Sequence, residues 1–150
     1  MNFDYVLAED PTIFEEENKI RVVLCEPGEN ARIAEIGNDL KSLQDAVGGL
    51  IEVYYGLDDP SCFIVCNEEG KINGLEPCRG IYDNDGNIIE VICGPFFICS
   101  EREDGEFASL SEDDLQKYMQ EFYRPETLVI SNDNIAMIPY DKDLGDELEI

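Results

Sequence analysis

Apolar residues recur along this chain in short runs separated by clusters of Gly, Pro, Asn and Asp, a pattern that predicts many strands and few helices. The first clear run, Lys19-Ile20-Arg21-Val22-Val23-Leu24-Cys25, is rich in β-branched residues and predicts a strand. Glu26-Pro27-Gly28-Glu29-Asn30 is a turn by composition, and the alternation from Ala31 to Ile36 predicts the second strand of a hairpin. Leu40, Leu43, Ala46 and Val47 then recur at helical spacing, with Asn38 or Asp39 placed to cap the helix and Gly48-Gly49 placed to stop it. A second hairpin is expected from Leu50–Tyr55 and Cys62–Cys66, joined through Gly56-Leu57-Asp58-Asp59-Pro60. The stretch from Asn67 to Arg79 is dense in turn formers and predicts a structured loop. Asp83-Asn84-Asp85-Gly86-Asn87 has the chemistry of a tight hairpin turn ahead of Ile88-Ile89-Glu90-Val91-Ile92, and Gly94-Pro95 bends or breaks the chain before Phe96-Phe97-Ile98-Cys99.

Ser111 marks a second helix start, with Asp114 placed to complete a capping box and Leu110 and Leu115 placed to close a hydrophobic staple. Its apolar stripe is Leu115, Tyr118, Met119 and Phe122, and the helix is expected to run to about Tyr123, where Pro125 ends it. A last pair of strands is expected around Ser131-Asn132-Asp133-Asn134. Strands that arrive as hairpins with two helices among them predict an α+β fold: a single domain with a largely antiparallel sheet and two helices packed on it. The expected organisation is an acidic N-terminal arm over residues 1–18, the folded domain over 19–140 and an acidic tail over 141–150.

Composition narrows the functional classes. Ten Lys plus Arg against thirty-five Asp plus Glu leave a net charge of −25, which disfavours direct binding to nucleic acid or to an anionic membrane surface. The 43% of hydrophobic residues argues against disorder as the reason for the acidity. No His is present, which removes the commonest general base, metal ligand and partner of a nucleophile, so no enzymatic activity is expected. The six Cys contain no CxxC pair and read as buried free thiols; no metal and no cofactor is expected. The Asp83-Asn84-Asp85-Gly86 segment fails as a calcium loop, because aligning Gly86 with the loop's sixth position puts Ile81 and Ile92 where oxygen ligands are required. Gly70-Lys71 lacks the upstream Gly and the following Ser or Thr of a phosphate loop. Without a membrane-length apolar run or a signal-like start, the expected location is cytoplasmic.

The order of several segments carries a resemblance. Val22-Val23-Leu24-Cys25-Glu26-Pro27-Gly28, Leu40-Lys41-Ser42-Leu43-Gln44, Val47-Gly48-Gly49-Leu50-Ile51-Glu52-Val53, the run Cys66 to Leu75, Arg79, and Gly94-Pro95-Phe96-Phe97-Ile98 together resemble the uncharacterised domain-of-unknown-function 3846 family. Family members usually carry Asn at the position of Cys78 and Thr at that of Pro95. The resemblance implies no established activity; it implies a Gram-positive bacterium, its phage or a mobile element as context.

Charge and that context together point to an anti-defence protein. A surface carrying carboxylates at a density comparable with DNA phosphates can occupy the basic channel of a nuclease and compete with its substrate. The expected function is therefore a non-enzymatic, phage- or mobile-element-encoded inhibitor of a host defence nuclease, anti-CRISPR or anti-restriction, acting as a DNA mimic or by direct binding to a basic protein surface. Candidate patches include Glu15-Glu16-Glu17, Asp58-Asp59, Glu68-Glu69 and the tail acids from Asp141 to Glu149. The expected partner-binding residues are Glu101, Glu103, Asp104, Glu106, Glu112, Asp113 and Asp114, a loop and a helix start close in sequence. Lys71 and Arg79 are scarce basic residues in one segment and form an alternative candidate, a ligand loop that sequesters a nucleotide signal; the plainer alternative has Arg79 pairing with local carboxylates to organise the loop. A third alternative is a regulatory or structural protein of the mobile element.

Overall fold

Each central strand is apolar on both faces, and that alternation decides the architecture: a sheet with a covered surface on either side. The computed structural model describes residues 18–142, so Glu15-Glu16-Glu17 and the tail acids Asp143, Asp146, Glu147 and Glu149 lie outside the described residues. The elements run β1 (Lys19–Cys25), β2 (Arg32–Gly37), α1 (Leu40–Val47), β3 (Ile51–Tyr54), β4 (Cys62–Asn67), β5 (Pro77–Tyr82), β6 (Ile88–Cys93), β7 (Phe96–Glu101), β8 (Phe107–Ala108), α2 (Glu112–Glu121), β9 (Glu126–Ser131) and β10 (Asn134–Pro139).

The main sheet has the order β2-β1-β7-β4-β3, with β8 paired to the end of β7, and every described pairing is antiparallel. Ile20, Val22, Leu24, Phe63, Val65, Phe97 and Cys99 point to one face, where Leu43 and Val47 of α1 cover them. Val23, Cys25, Cys62, Ile64, Cys66, Phe96 and Ile98 point to the other, beneath Leu115, Tyr118 and Phe122 from α2 and its C-cap. The fold is thus the α+β domain that the strand and helix pattern predicts.

Three details differ from the sequence reading. The strands divide into the main sheet and two separate hairpins, β5–β6 and β9–β10, rather than joining one sheet. The hairpins are tied to each other by the Gly80 amide donating to Glu126 Oε1 at 2.8 Å and by the Tyr82 hydroxyl donating to Met137 O at 2.9 Å. Second, the expected loop from Asn67 to Arg79 ends early, because β5 begins at Pro77; the partner strand β6 supplies the order that local composition did not. Third, α2 stops at Glu121 with Phe122 as its C-cap, slightly short of Tyr123.

The helix starts are as expected. Asp39 accepts from Ser42 N at 2.9 Å and Gly48 closes α1 in the left-handed conformation, φ 80°. Ser111 accepts from Asp114 N at 3.1 Å, and both staple residues, Leu110 and Leu115, are buried. All six cysteines are free; five are buried and Cys93 is half-buried. No helix among the described residues is long and apolar enough to cross a membrane.

Candidate functional site

The acidic segment is built on the end of β7. Ser100 pairs with Ala108 and Glu101 with Phe107, so residues 102–106 form a hairpin turn. The turn is closed by Arg102 N donating to Glu106 O at 2.8 Å, Gly105 N to Arg102 O at 2.9 Å, and Glu106 N to Asp104 Oδ1 at 3.0 Å. Glu101, Glu103, Asp104 and Glu106 are all exposed, and none is in an ion pair with a described residue. Backbone hydrogen bonds therefore hold four carboxylates on a short, ordered projection.

The helix-start acids are placed differently. Glu112 is exposed and pairs with Arg21 at 3.1 Å, and Asp113 is exposed. Asp114 is half-buried, and its carboxylate, instead of completing the capping box, accepts from Cys62 Sγ at 3.5 Å. On β7, Phe97, Cys99 and, by strand alternation, Glu101 point to the α1 face, whereas α2 lies on the other face. Seven acids close in sequence are thus separated in space into the β7–β8 turn, an exposed pair at the start of α2, and an inward-facing Asp114.

Lys71 and Arg79 do not converge. Arg79 is fully buried: its Nε donates to Phe122 O at 2.9 Å and its guanidinium NH groups donate to Cys78 O at 2.9 Å and Glu29 O at 2.7 Å. The guanidinium is spent on backbone carbonyls of β5, the end of α2 and the β1–β2 turn, so it neither faces a ligand nor forms an ion pair with a local carboxylate. Lys71 is ion-paired with Glu90 and sits in a cleft of about 310 Å³ whose lining includes Glu52, Glu68, Glu69 and Tyr54. Four glutamates around one lysine make that cleft a poor receptor for an anionic nucleotide.

One constellation has no counterpart in the linear pattern. The ligand-type atoms of Asp59, Cys62 and Asp114 lie within 4.8 Å of one another. Asp59 sits in the β3–β4 loop, with its Oδ1 accepting from Ser61 N at 2.9 Å and Ser61 Oγ at 2.7 Å; Cys62 opens β4, and Asp114 comes from the first turn of α2. Burial pushes the Cys62 thiol up to about 11; the Ser61 hydroxyl lowers it, and Asp114 and Asp59 add to the rise. The spacing of Asp59 and Cys62 was visible in the chain; the arrival of Asp114, 52 positions from Cys62, was not.

The family model described as Domain of unknown function (DUF3846) matches residues 20–123, which spans the main sheet, both helices and the whole acidic segment. No curated protein and no solved structure matches the chain. The chain belongs to the DUF3846 family.

Proposed function

We propose that this member of the DUF3846 family is a non-enzymatic inhibitor that docks its acidic β7–β8 turn in the nucleic-acid channel of a basic protein, a host defence nuclease such as a CRISPR effector or a restriction enzyme. The observation that carries this reading is the set of exposed carboxylates of Glu101, Glu103, Asp104 and Glu106, none ion-paired with a described residue, on a hydrogen-bonded turn. A preformed turn docks with less loss of conformational entropy than a mobile acidic segment, so its charges give affinity as well as steering. Asp113, exposed at the start of α2, adds a further charge, and Glu112 beside it is paired with Arg21. The net charge of −25 repels DNA and RNA themselves, which leaves a cationic protein surface as the complementary partner.

The test is co-elution with a candidate nuclease at low and moderate salt, followed by measurement of that nuclease's DNA binding. A complex that weakens steeply with salt and displaces DNA is the expected result. A complex that forms on DNA-loaded nuclease without displacing the DNA would overturn occupation of the channel.

A further inference from the structure

We propose that Asp59, Cys62 and Asp114, with the Tyr118 hydroxyl beside them, form a binding site for a borderline divalent cation of the zinc type. The two sulfur–oxygen spacings are those of a coordination shell. Zinc–sulfur and zinc–oxygen bonds of about 2.3 and 2.0–2.2 Å at a tetrahedral angle put the sulfur and oxygen roughly 3.6 Å apart. Cys62 Sγ lies 3.5 Å from Asp114 Oδ2 and 3.8 Å from Asp59 Oδ2. A cation at the centre replaces the single thiol proton that now serves two carboxylates.

The support around the site matches that role. Ser61 holds Asp59 by its Oδ1, which orients the carboxylate and leaves Oδ2 directed at Cys62. Asp114 and Tyr118 stand one turn apart on α2, so both side chains face the same side of the helix. Tyr118 is fully buried, and its hydroxyl is the one buried side-chain polar atom among the described residues without a hydrogen-bond partner. An orphaned hydroxyl costs stability unless something satisfies it. Tyr118 packs in the same core cluster as Cys62; burial pushes its pKa up, and Cys62 and Asp59 raise it further. The hydroxyl, or a water held by it, supplies the fourth position. One thiolate with two carboxylates selects Zn²⁺ or Co²⁺ over Ca²⁺ and Mg²⁺, which require a fuller set of oxygen ligands. Lying between the β3–β4 loop, β4 and α2, the site joins the helix to the sheet, so an ion there stabilises the fold independently of any partner bound by the β7–β8 turn.

Titration of the full chain with Co²⁺, read by absorption, separates this site from the many surface carboxylates. The expected result is a thiolate-to-cobalt charge-transfer band with tetrahedral ligand-field absorption, saturating at one equivalent, displaced by Zn²⁺ and unaffected by excess Mg²⁺. Cys62→Ser should abolish the band, and Asp114→Asn should weaken Co²⁺ binding about tenfold or more. Asp59→Asn, in a loop, should also weaken it and serves if the Cys62 variant does not fold by circular dichroism. Cobalt binding without the sulfur band, a band that survives Cys62→Ser in a folded variant, or affinity unchanged by both aspartate substitutions would overturn the site.

Discussion

Arg79 Nε lies 2.9 Å from the carbonyl oxygen of Phe122, so a fully buried guanidinium closes the C-terminal end of α2. The last carbonyls of a helix lack intrahelical partners and carry partial negative charge, which a buried cation satisfies on both counts. The same fork holds Glu29 O and Cys78 O, tying the β1–β2 turn and β5 to the helix. Arg79→Met should cost about 3 kcal/mol or more in denaturant unfolding, because buried carbonyls lose their donors. Arg79→Lys should also destabilise, since a point charge on a flexible stem does not reproduce a rigid fork. A stability loss well under 1 kcal/mol for both would show that water replaces the guanidinium readily.

Charge reversal in the β7–β8 turn separates binding from folding. Changing Glu101, Glu103 and Glu106 to Lys and Asp104 to Asn, which keeps the Oδ1 acceptor for Glu106 N, leaves the hydrogen bonds of the turn in place, and the melting temperature should stay close to that of the parent. Binding to a basic partner should fall at least about tenfold, with slower association and a weaker dependence on salt. Unchanged binding would move the partner surface away from this turn.

Glu126 gives the stability a pH dependence. Burial raises its pKa, opposed by the Gly80 amide and by Arg79, with Tyr82 and Arg124 contributing less. A carboxyl whose folded pKa is raised binds more protons folded than unfolded, so its contribution to stability declines as pH rises from the ordinary glutamate value through the folded one. Glu126→Gln keeps an acceptor for Gly80 N and removes the half-buried charge. Unfolding curves from pH 4 to 7 should show a smaller loss of stability with rising pH in this variant than in the parent. A parent and variant with parallel pH profiles would contradict the assignment.

Gly70 is a steric position and Gly48 a conformational one. A Cβ on Gly70 would collide with the backbone carbonyl oxygen of Cys93, whereas one on Gly48, φ 80°, meets open space. Gly48→Ala should cost about 1 kcal/mol, through backbone strain alone. Gly70→Ala should cost about 1–3 kcal/mol, because the 67–75 loop must lift from β6. Thermal unfolding ranks the two directly, and the reverse order would mean that the loop shifts freely.

Thiol accessibility follows burial. Burial raises the Cys25 thiol to about 12, partly offset by Arg79, and Cys78 and Cys99 are also raised by burial. A disulfide-exchange reagent at pH 8 should modify the half-buried Cys93 first, with the remaining thiols reacting only on unfolding. Rapid modification of more than one thiol in the folded protein would show that the sheet opens locally.

What was legible in the chain was local. Asp39 and Gly48 bound α1 and Ser111 starts α2 through hydrogen bonds within a few residues, so composition at those positions was enough. Strands β1, β4 and β7 were legible because their sequences are apolar on both faces, and Cys62 with Cys66 shared a face by strand alternation alone. The exposed acids were legible as charge, and the shape they take was not. The separation of β5–β6 and β9–β10 from the main sheet, and the short strand β8, depend on partners that no local window contains.

Long-range pairing explains the rest. By residue type Arg79 belonged to a surface loop; the carbonyls of Phe122 and Glu29, 43 and 50 positions away, make its burial favourable by taking up its donors. Asp114 belonged by spacing to a capping box, but Cys62 lies within reach once α2 is laid across the sheet, and the carboxylate turns inward. The residue pattern was enough for the helix starts, the long apolar strands and the acidity of the surface, because propensity, capping and charge act over a few residues. The burial of Arg79, the exposure of the carboxylates on the β7–β8 turn and the meeting of Asp59, Cys62 and Asp114 came from long-range packing, because they follow from laying α2 against a sheet assembled from distant strands.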